Sequence, residues 1–163
     1  VQVQNQTIVL SEMLENTTQS LRQTAEAKSV SLNLNIPGIS IETDPGLLDT
    51  IVRNLVANAI KFSYSGQTVS VAAHVENNFV TVSVSDTGTG MSGETLDNLF
   101  QLDKAKSLPG TANETGTGLG LFLSHEFAVR LGGKIEVSSK ENEGSVFSIV
   151  LPLKEENEDN IGN

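Results

Sequence analysis

Residues 68–86, TVSVAAHVENNFVTVSVSD, constrain the fold more than any other stretch of this chain. Two runs, 68–76 and 79–86, alternate apolar and polar residues with the period of two expected of half-buried strands, and the tight turn ENN joins them. Val80, Val82 and Val84 share one face, which other elements must cover.

The covering elements are legible as helices. DPG at 44–46 starts one, with Asp44 as N-cap and Pro45 at the first helical position. It carries Leu48, Ile51, Val52, Leu55, Val56 and Ala59 toward the core and is expected to stop near Ser65-Gly66. Ser11 is the expected cap of a helix over 12–27, with Met13, Leu14, Leu21 and Ala25 facing inward. A further helix follows GTGLGL at 116–121 and ends at Gly132-Gly133, a C-cap signal. VSLNLNIP at 30–37, ISIET at 39–43, KIEVSS and SVFSIVLP read as further strands. The order predicts an α/β two-layer sandwich: a mixed sheet of about five strands with about three helices on one face. Residues 87–117 are polar and glycine-rich, with one short helical piece near 93–100; a stretch that long inside a compact domain reads as a functional lid or as disorder.

Length and composition bound the class. A chain of 163 residues, 37% hydrophobic and 18% charged, suits one soluble domain, here 1–153 followed by an acidic, disordered tail at 154–163. No apolar run approaches the ~20 residues of a membrane helix, and no signal-peptide pattern opens the chain. Without cysteine there is no disulfide framework or thiolate metal site, which fits a reducing compartment. The net charge of −10 argues against general nucleic-acid binding. The first residue, Val1, suggests a piece of a longer protein.

Three features carry chemistry. Asn54, Asn58 and Lys61 fall in a narrow stripe beside the apolar face of their helix, at ~100° per residue. Asparagine disfavours helix interiors, so the pair needs a reason. An amide oxygen is a hard neutral ligand suited to Mg²⁺, and a lysine neutralises phosphate; the same stripe also suits a solvent-facing flank. Asp86 continues the apolar row of Val80, Val82 and Val84, and Gly88 and Gly90 then permit a tight turn or close ligand approach. A ligand there would meet an acceptor-only carboxylate, suited to an exocyclic amine such as that of adenine; the alternative is an ordinary Asp-Thr-Gly turn with Asp86 solvated. Gly116, Gly118 and Gly120 alternate into a helix N-terminus, where exposed N–H groups and the dipole favour an anion, or where a flexible loop simply ends in a capped helix. The spacing is neither a dinucleotide-binding fingerprint nor a P-loop.

In this order and spacing the three features resemble the ATP-binding catalytic domain of sensor histidine kinases, within the gyrase–chaperone–kinase–mismatch-repair ATPase superfamily. The resemblance runs from IVLSEML to SVFSIVLPL. It implies that ATP and Mg²⁺ are the cofactors and that the residues divide among them as follows. Asn58 would coordinate Mg²⁺, with Asn54 at the same metal–phosphate end. Lys61 would contact phosphate, Phe62 would flank adenine, and Asp86 would accept from the adenine amine in a pocket shaped by Gly88 and Gly90. Gly116, Thr117, Gly118, Leu119, Gly120 and Leu121 would cradle phosphates, and Ser145 would lie near adenine. Lys104 and Lys106, in the lid at 91–117, are candidates for phosphate contact, or else are two solvated lysines. The family's lid often reads Phe-x-x-Phe; here Phe100 is followed by Leu102 and Asp103, which puts lid geometry in doubt.

The resemblance also separates activities. Hydrolysing members of the superfamily carry a general-base glutamate where this chain has Asn54, and an amide cannot take that proton. Phosphoryl transfer to a protein histidine is therefore expected, resting on positioning and charge neutralisation by Mg²⁺, Lys61 and the helix N-terminus. His74 and His125 read as structural, so the acceptor is expected on a preceding dimerisation domain, with a response regulator receiving the group downstream. The domain is expected to be cytoplasmic and monomeric, leaving open whether its parent is membrane-anchored. The rival readings are a hydrolysing ATPase and a nucleotide-sensing module that transfers nothing.

Overall fold

The computed structural model describes residues 2–99, 110–112 and 119–153. Among these described residues, seven strands and four helices follow in the order β1 (Gln6–Val9), α1 (Leu10–Ala27), β2 (Ser31–Asn35), β3 (Ser40–Thr43), α2 (Pro45–Phe62), β4 (Thr68–Glu76), β5 (Phe79–Asp86), α3 (Gly93–Asp97), α4 (Leu119–Arg130), β6 (Lys134–Lys140) and β7 (Gly144–Pro152).

The hairpin forms as its sequence demands. β4 and β5 pair antiparallel from Glu76↔Phe79 to Ser70↔Ser85, and Asn77 and Asn78 stand between them at φ 51° and 64°. Positive φ at both central positions is the pattern of a type I′ turn, which Asn tolerates and whose twist matches that of the strands. β5 then pairs with β7, β7 with β6, and β4 with β2, giving the order β2-β4-β5-β7-β6. The β2–β4 pair is parallel and the rest antiparallel, so the sheet is mixed, with five strands as expected.

One face of this sheet is apolar. Val69, Val71, Val80, Val82, Val84, Ile149 and Leu151 are buried beneath the helices. α2 lies centrally between α1 and α4 and buries Leu48, Ile51, Val52, Leu55, Val56, Ala59 and Ile60. The opposite face is mixed: Thr81, Ser83 and Ser85 of β5 share it with the exposed Phe79 and Val146, and the Ser83 and Ser148 hydroxyls stand 2.8 Å apart.

The strand expected at 39–43 forms as β3 but stands apart from the main sheet; it pairs antiparallel with β1, a segment the sequence did not single out because four residues are too short to show a period. One expectation needs correction: Ser11 does not cap the first helix. α1 begins at Leu10 with Val9 in the cap position and no side-chain cap, because the Leu10 N–H donates to the Ile39 carbonyl at 2.8 Å. A tertiary backbone acceptor there replaces the capping side chain.

α2 starts as expected. Asp44 Oδ1 accepts from the N–H groups of Gly46 and Leu47, and Oδ2 accepts from Gln4 N–H at 2.8 Å. Chiefly through the Gln4 bond, its carboxyl is held below the usual aspartate value despite opposing desolvation. Asp44→Ala should cost about 1–2 kcal/mol at pH 7, read by urea unfolding. A depressed pKa stabilises the fold above the unfolded value of 3.8 and loses that contribution as pH falls through the folded value. The gap between wild type and variant should therefore narrow below pH 3.8. α2 ends at Phe62, three residues before the expected Ser65-Gly66 stop, with Ser63 as C-cap. α4 ends as expected: Gly132 takes φ 80°, and its neighbour's N–H reaches back to the Ala128 carbonyl.

Candidate functional site

Three segments meet around the C-terminal half of α2. The first is α2 itself. Asn54 is half-buried, and its Nδ2 donates to the Gly120 carbonyl at 3.3 Å and to Ser124 Oγ at 3.1 Å. Asn58, one turn further on, is half-buried, and its side chain makes no hydrogen bond among the described residues. Lys61 Nζ lies 5.1 Å from the centroid of the Phe62 ring, within cation–π range.

The last carbonyls of α2 are all engaged. Lys28 Nζ donates to Ile60 O at 3.0 Å and to Lys61 O at 2.8 Å, placing a cation at the negative end of the helix dipole. Thr111 N–H also reaches Lys61 O, Thr89 N–H reaches Phe62 O at 3.1 Å, and Thr111 Oγ1 donates to Ser63 O. The helix end that carries Lys61 and Phe62 is thereby fixed from three directions.

The second segment follows β5. Asp86 is 8% exposed, on the helix-facing side of the strand as the period of two predicts. Its Oδ1 accepts from Gly88 N–H at 2.9 Å. Burial pushes its carboxyl above the usual aspartate value, opposed by the N–H groups of Gly88 and Ser145. Gly88 packs directly on α2: a Cβ there would stand 1.8 Å from Phe62 O. Gly90, at φ 62°, packs on the β6–β7 turn, where a Cβ would meet Lys140 O at 2.0 Å. Ser145 pairs with Asp86 across the β5–β7 ladder, is buried, and lies with its Oγ 2.7 Å from Ser139 Oγ.

The third segment opens α4. Leu119 begins the helix, Gly120 sits against the Asn54 amide, and Leu121 packs on the core. Lys104, Lys106, Gly116, Thr117 and Gly118 lie outside the described residues, as do Phe100, most of the segment proposed as a lid, and the tail. His74 is exposed on β4, and His125 is half-buried within α4.

A half-buried pair of amides, a buried carboxylate and a helix N-terminus thus surround one helix end. A family model described as histidine kinase-, DNA gyrase B-, and HSP90-like ATPase matches residues 43–155, which contain all three segments. The chain belongs to that family. The adaptive-response sensory kinase SasA of Prochlorococcus marinus is 37% identical over 131 residues, covering 78% of this chain and 34% of that protein. The structure of a mycobacterial sensor histidine kinase, MprB, superposes with a TM-score of 0.78 at 20% identity, covering 93% of this chain and 99% of that one. Full-length ShkA, solved in complex with AMPPNP, gives 0.79 at 23% identity, covering 94% of this chain and 32% of that one. These two likenesses establish the fold. The chain spans about a third or less of the length of the curated relatives it matches.

In this histidine kinase-type ATPase domain, sequence reasoning missed several residues that build the site. Gly144 takes φ 117°, and a Cβ there would stand 2.1 Å from Asp86 O. Its place at the very start of a strand, in GSVF, was the available signal. Lys28 and Thr111 act on main-chain carbonyls of α2 from distant parts of the chain, and no local pattern marks them. Ser124 looked like one more helix residue, yet it holds Asn54.

Proposed function

We propose that this chain is the ATP-binding catalytic domain of a two-component sensor histidine kinase, which transfers the γ-phosphoryl of Mg-ATP to a histidine on a dimerisation domain of the same protein. The observation that carries the reading is the convergence of Asn54, Asn58 and Lys61 on α2 with the buried, turn-locked Asp86 beyond β5. Family membership supplies the nucleotide chemistry.

The donor set fits Mg²⁺. No three His, Cys, Asp or Glu side chains cluster to hold a metal among the described residues, and Asn58 offers a neutral amide with no competing hydrogen bond among them. Mg²⁺ suits such a site, because it keeps several waters and takes other ligands from substrate phosphates rather than from a protein cage. Bound there, it would neutralise charge on the phosphates. The chain's own residues position the reactants. Asn58 and Asn54 mark the metal–phosphate end, and Lys61 places a positive charge beside it. Phe62 flanks adenine, Asp86 accepts from its amine, and Gly88, Gly90 and Ser145 shape that end. Gly120 and Leu121 lie in the phosphate-facing turn of α4.

Asn54 favours transfer over hydrolysis. Both N–H bonds of its amide are engaged by α4, and an amide oxygen cannot act as general base for water at neutral pH. A response regulator would then receive the phosphoryl group. No helix among the described residues is long and apolar enough to cross a membrane.

Calorimetric titration with a non-hydrolysable ATP analogue tests the site. Wild type should bind more tightly with Mg²⁺ than without. Asn58→Ala should lose most of that gain, at least the roughly tenfold that even an outer-shell partner contributes to metal affinity. Adding the parent's acceptor domain and ATP should then yield acid-labile label on its histidine. Rapid phosphate release by the chain alone would sink the kinase reading in favour of a hydrolysing ATPase.

A further inference from the structure

α4 presents a buried hydroxyl to α2. Ser124 is fully buried, and its Oγ accepts from Asn54 Nδ2 at 3.1 Å. The Gly120 carbonyl accepts from the same nitrogen at 3.3 Å. Gly120 and Ser124 are four residues apart, so the two acceptors stand one above the other on a single face of α4. A backbone carbonyl can only accept, so the amide atom that faces it must be nitrogen. Chemistry therefore settles the orientation of an amide whose two ends otherwise look alike. That nitrogen has two N–H bonds, and two acceptors meet it. Oδ1 alone remains for whatever approaches from the other side.

We propose that Ser124 is a positioning residue for nucleotide binding: with the Gly120 carbonyl it locks the Asn54 amide so that the site receives an acceptor and no donor. This rests on the reading of the site as a Mg-nucleotide pocket. The distinction has chemical weight. An outward oxygen attracts a cation or a metal-bound water, and it repels a phosphate oxygen that comes too close. An outward NH₂ would do the reverse, pulling phosphate toward α2 and away from the metal. One acceptor would leave the amide free to pivot about a single bond; two acceptors hold its plane. Ser124 sits outside any nucleotide pocket and acts through Asn54.

The test is the gain in nucleotide affinity produced by Mg²⁺, measured by titration with a non-hydrolysable ATP analogue. Wild type, Ser124→Ala, Asn54→Ala and the double variant are compared. Losing one hydrogen bond to the amide should shrink the Mg²⁺-dependent gain roughly two- to tenfold in Ser124→Ala. In the Asn54→Ala background the same change should do nothing, because the group it orients is gone. A purely structural serine would lower the melting temperature similarly in both backgrounds and leave the Mg²⁺ gain untouched. Ser124→Cys fills the site with a somewhat larger sulfur that is only a weak acceptor, so it should resemble Ser124→Ala in Mg²⁺ dependence and carries the test if the alanine variant does not fold. An unchanged gain in folded Ser124 variants overturns the proposal, as does an equal loss with and without Asn54. If wild type binds with a Mg²⁺ gain that Asn54→Ala removes and the Ser124 variants keep, the positioning role alone falls. If wild type shows no Mg²⁺-dependent binding, the pocket itself has been misread and the role falls with it.

Discussion

Gly88→Ala is expected to abolish nucleotide binding and to destabilise the domain by about 3 kcal/mol, the upper end of what overpacking costs. The new Cβ would stand 1.8 Å from Phe62 O, 2.6 Å from its carbonyl carbon and 3.1 Å from Ser63 Cα. All three are backbone atoms, so no side chain can swing aside. Gly88 is not among the glycines at positive φ, so the penalty comes from contact rather than from dihedral strain. Either α2 or the loop must move. The end of α2 is held by Lys28 through Ile60 O and Lys61 O, by Thr111 through Lys61 O and Ser63 O, and by Thr89 through Phe62 O. Moving the loop instead removes the Gly88 N–H from Asp86 Oδ1. The first escape displaces Lys61 and Phe62, the second frees the carboxylate, and the proposed pocket loses one end in both. Gly120→Ala is the comparison for stability. A Cβ there would meet Asn54 at 3.7 Å, an ordinary contact, and alanine is the better helix former, so unfolding should occur at no lower urea concentration than in wild type. Binding by Gly88→Ala at wild-type strength would mean that the loop yields without disturbing the pocket, and the site would have to be redrawn.

The sequence could be read at some of these positions and not at others. Elements with their own local signal were legible: the Asn-Asn turn between β4 and β5, the Asp-Pro-Gly start of α2, and the glycine end of α4. Each is fixed by residues within a few positions of one another. Asp86 was placeable because a strand's period carries a side chain to a known face. What escaped depends on backbone groups of distant segments. α1 is capped by the Ile39 carbonyl, and the end of α2 is fastened by Lys28 and Thr111, and neither leaves a pattern in sequence. Gly88 and Gly90 were singled out for the right position, with close ligand approach as one reading. What approaches them in the structure is the chain itself, at Phe62 O and Lys140 O. Asn54 was placed beside a ligand, and its second face, turned to Ser124, became visible once α4 was packed against α2.

Asp86→Asn should cut affinity for an adenine nucleotide roughly ten- to a hundredfold, the worth of one charge-assisted hydrogen bond. On the proposed reading the carboxylate receives the adenine amine. With Oδ1 engaged by Gly88 N–H, an asparagine would turn Nδ2 toward that amine and set donor against donor. Stability should respond in the opposite sense as pH rises. Burial raises the pKa of Asp86 above its unfolded value of 3.8, the N–H groups of Gly88 and Ser145 offset part of that, and no cation pairs with it among the described residues. A carboxyl with a raised folded pKa contributes its stability below pH 3.8 and loses it as pH climbs through the folded value. Asparagine does not titrate. The unfolding free energy of wild type, measured relative to Asp86→Asn, should therefore decline as pH climbs from 3.8 through the folded value, while the difference in nucleotide affinity runs in favour of wild type at pH 7. The two effects separate a ligand-binding carboxylate from a packing one. A domain gains nothing for its own stability by keeping an unpaired charge 8% exposed at the end of an apolar row. On the proposed reading it gains a rigid acceptor, already stripped of most of its water, for a donor that arrives with the nucleotide. Equal affinity in wild type and variant would leave Asp86 as a costly turn residue and place the adenine end of the site elsewhere.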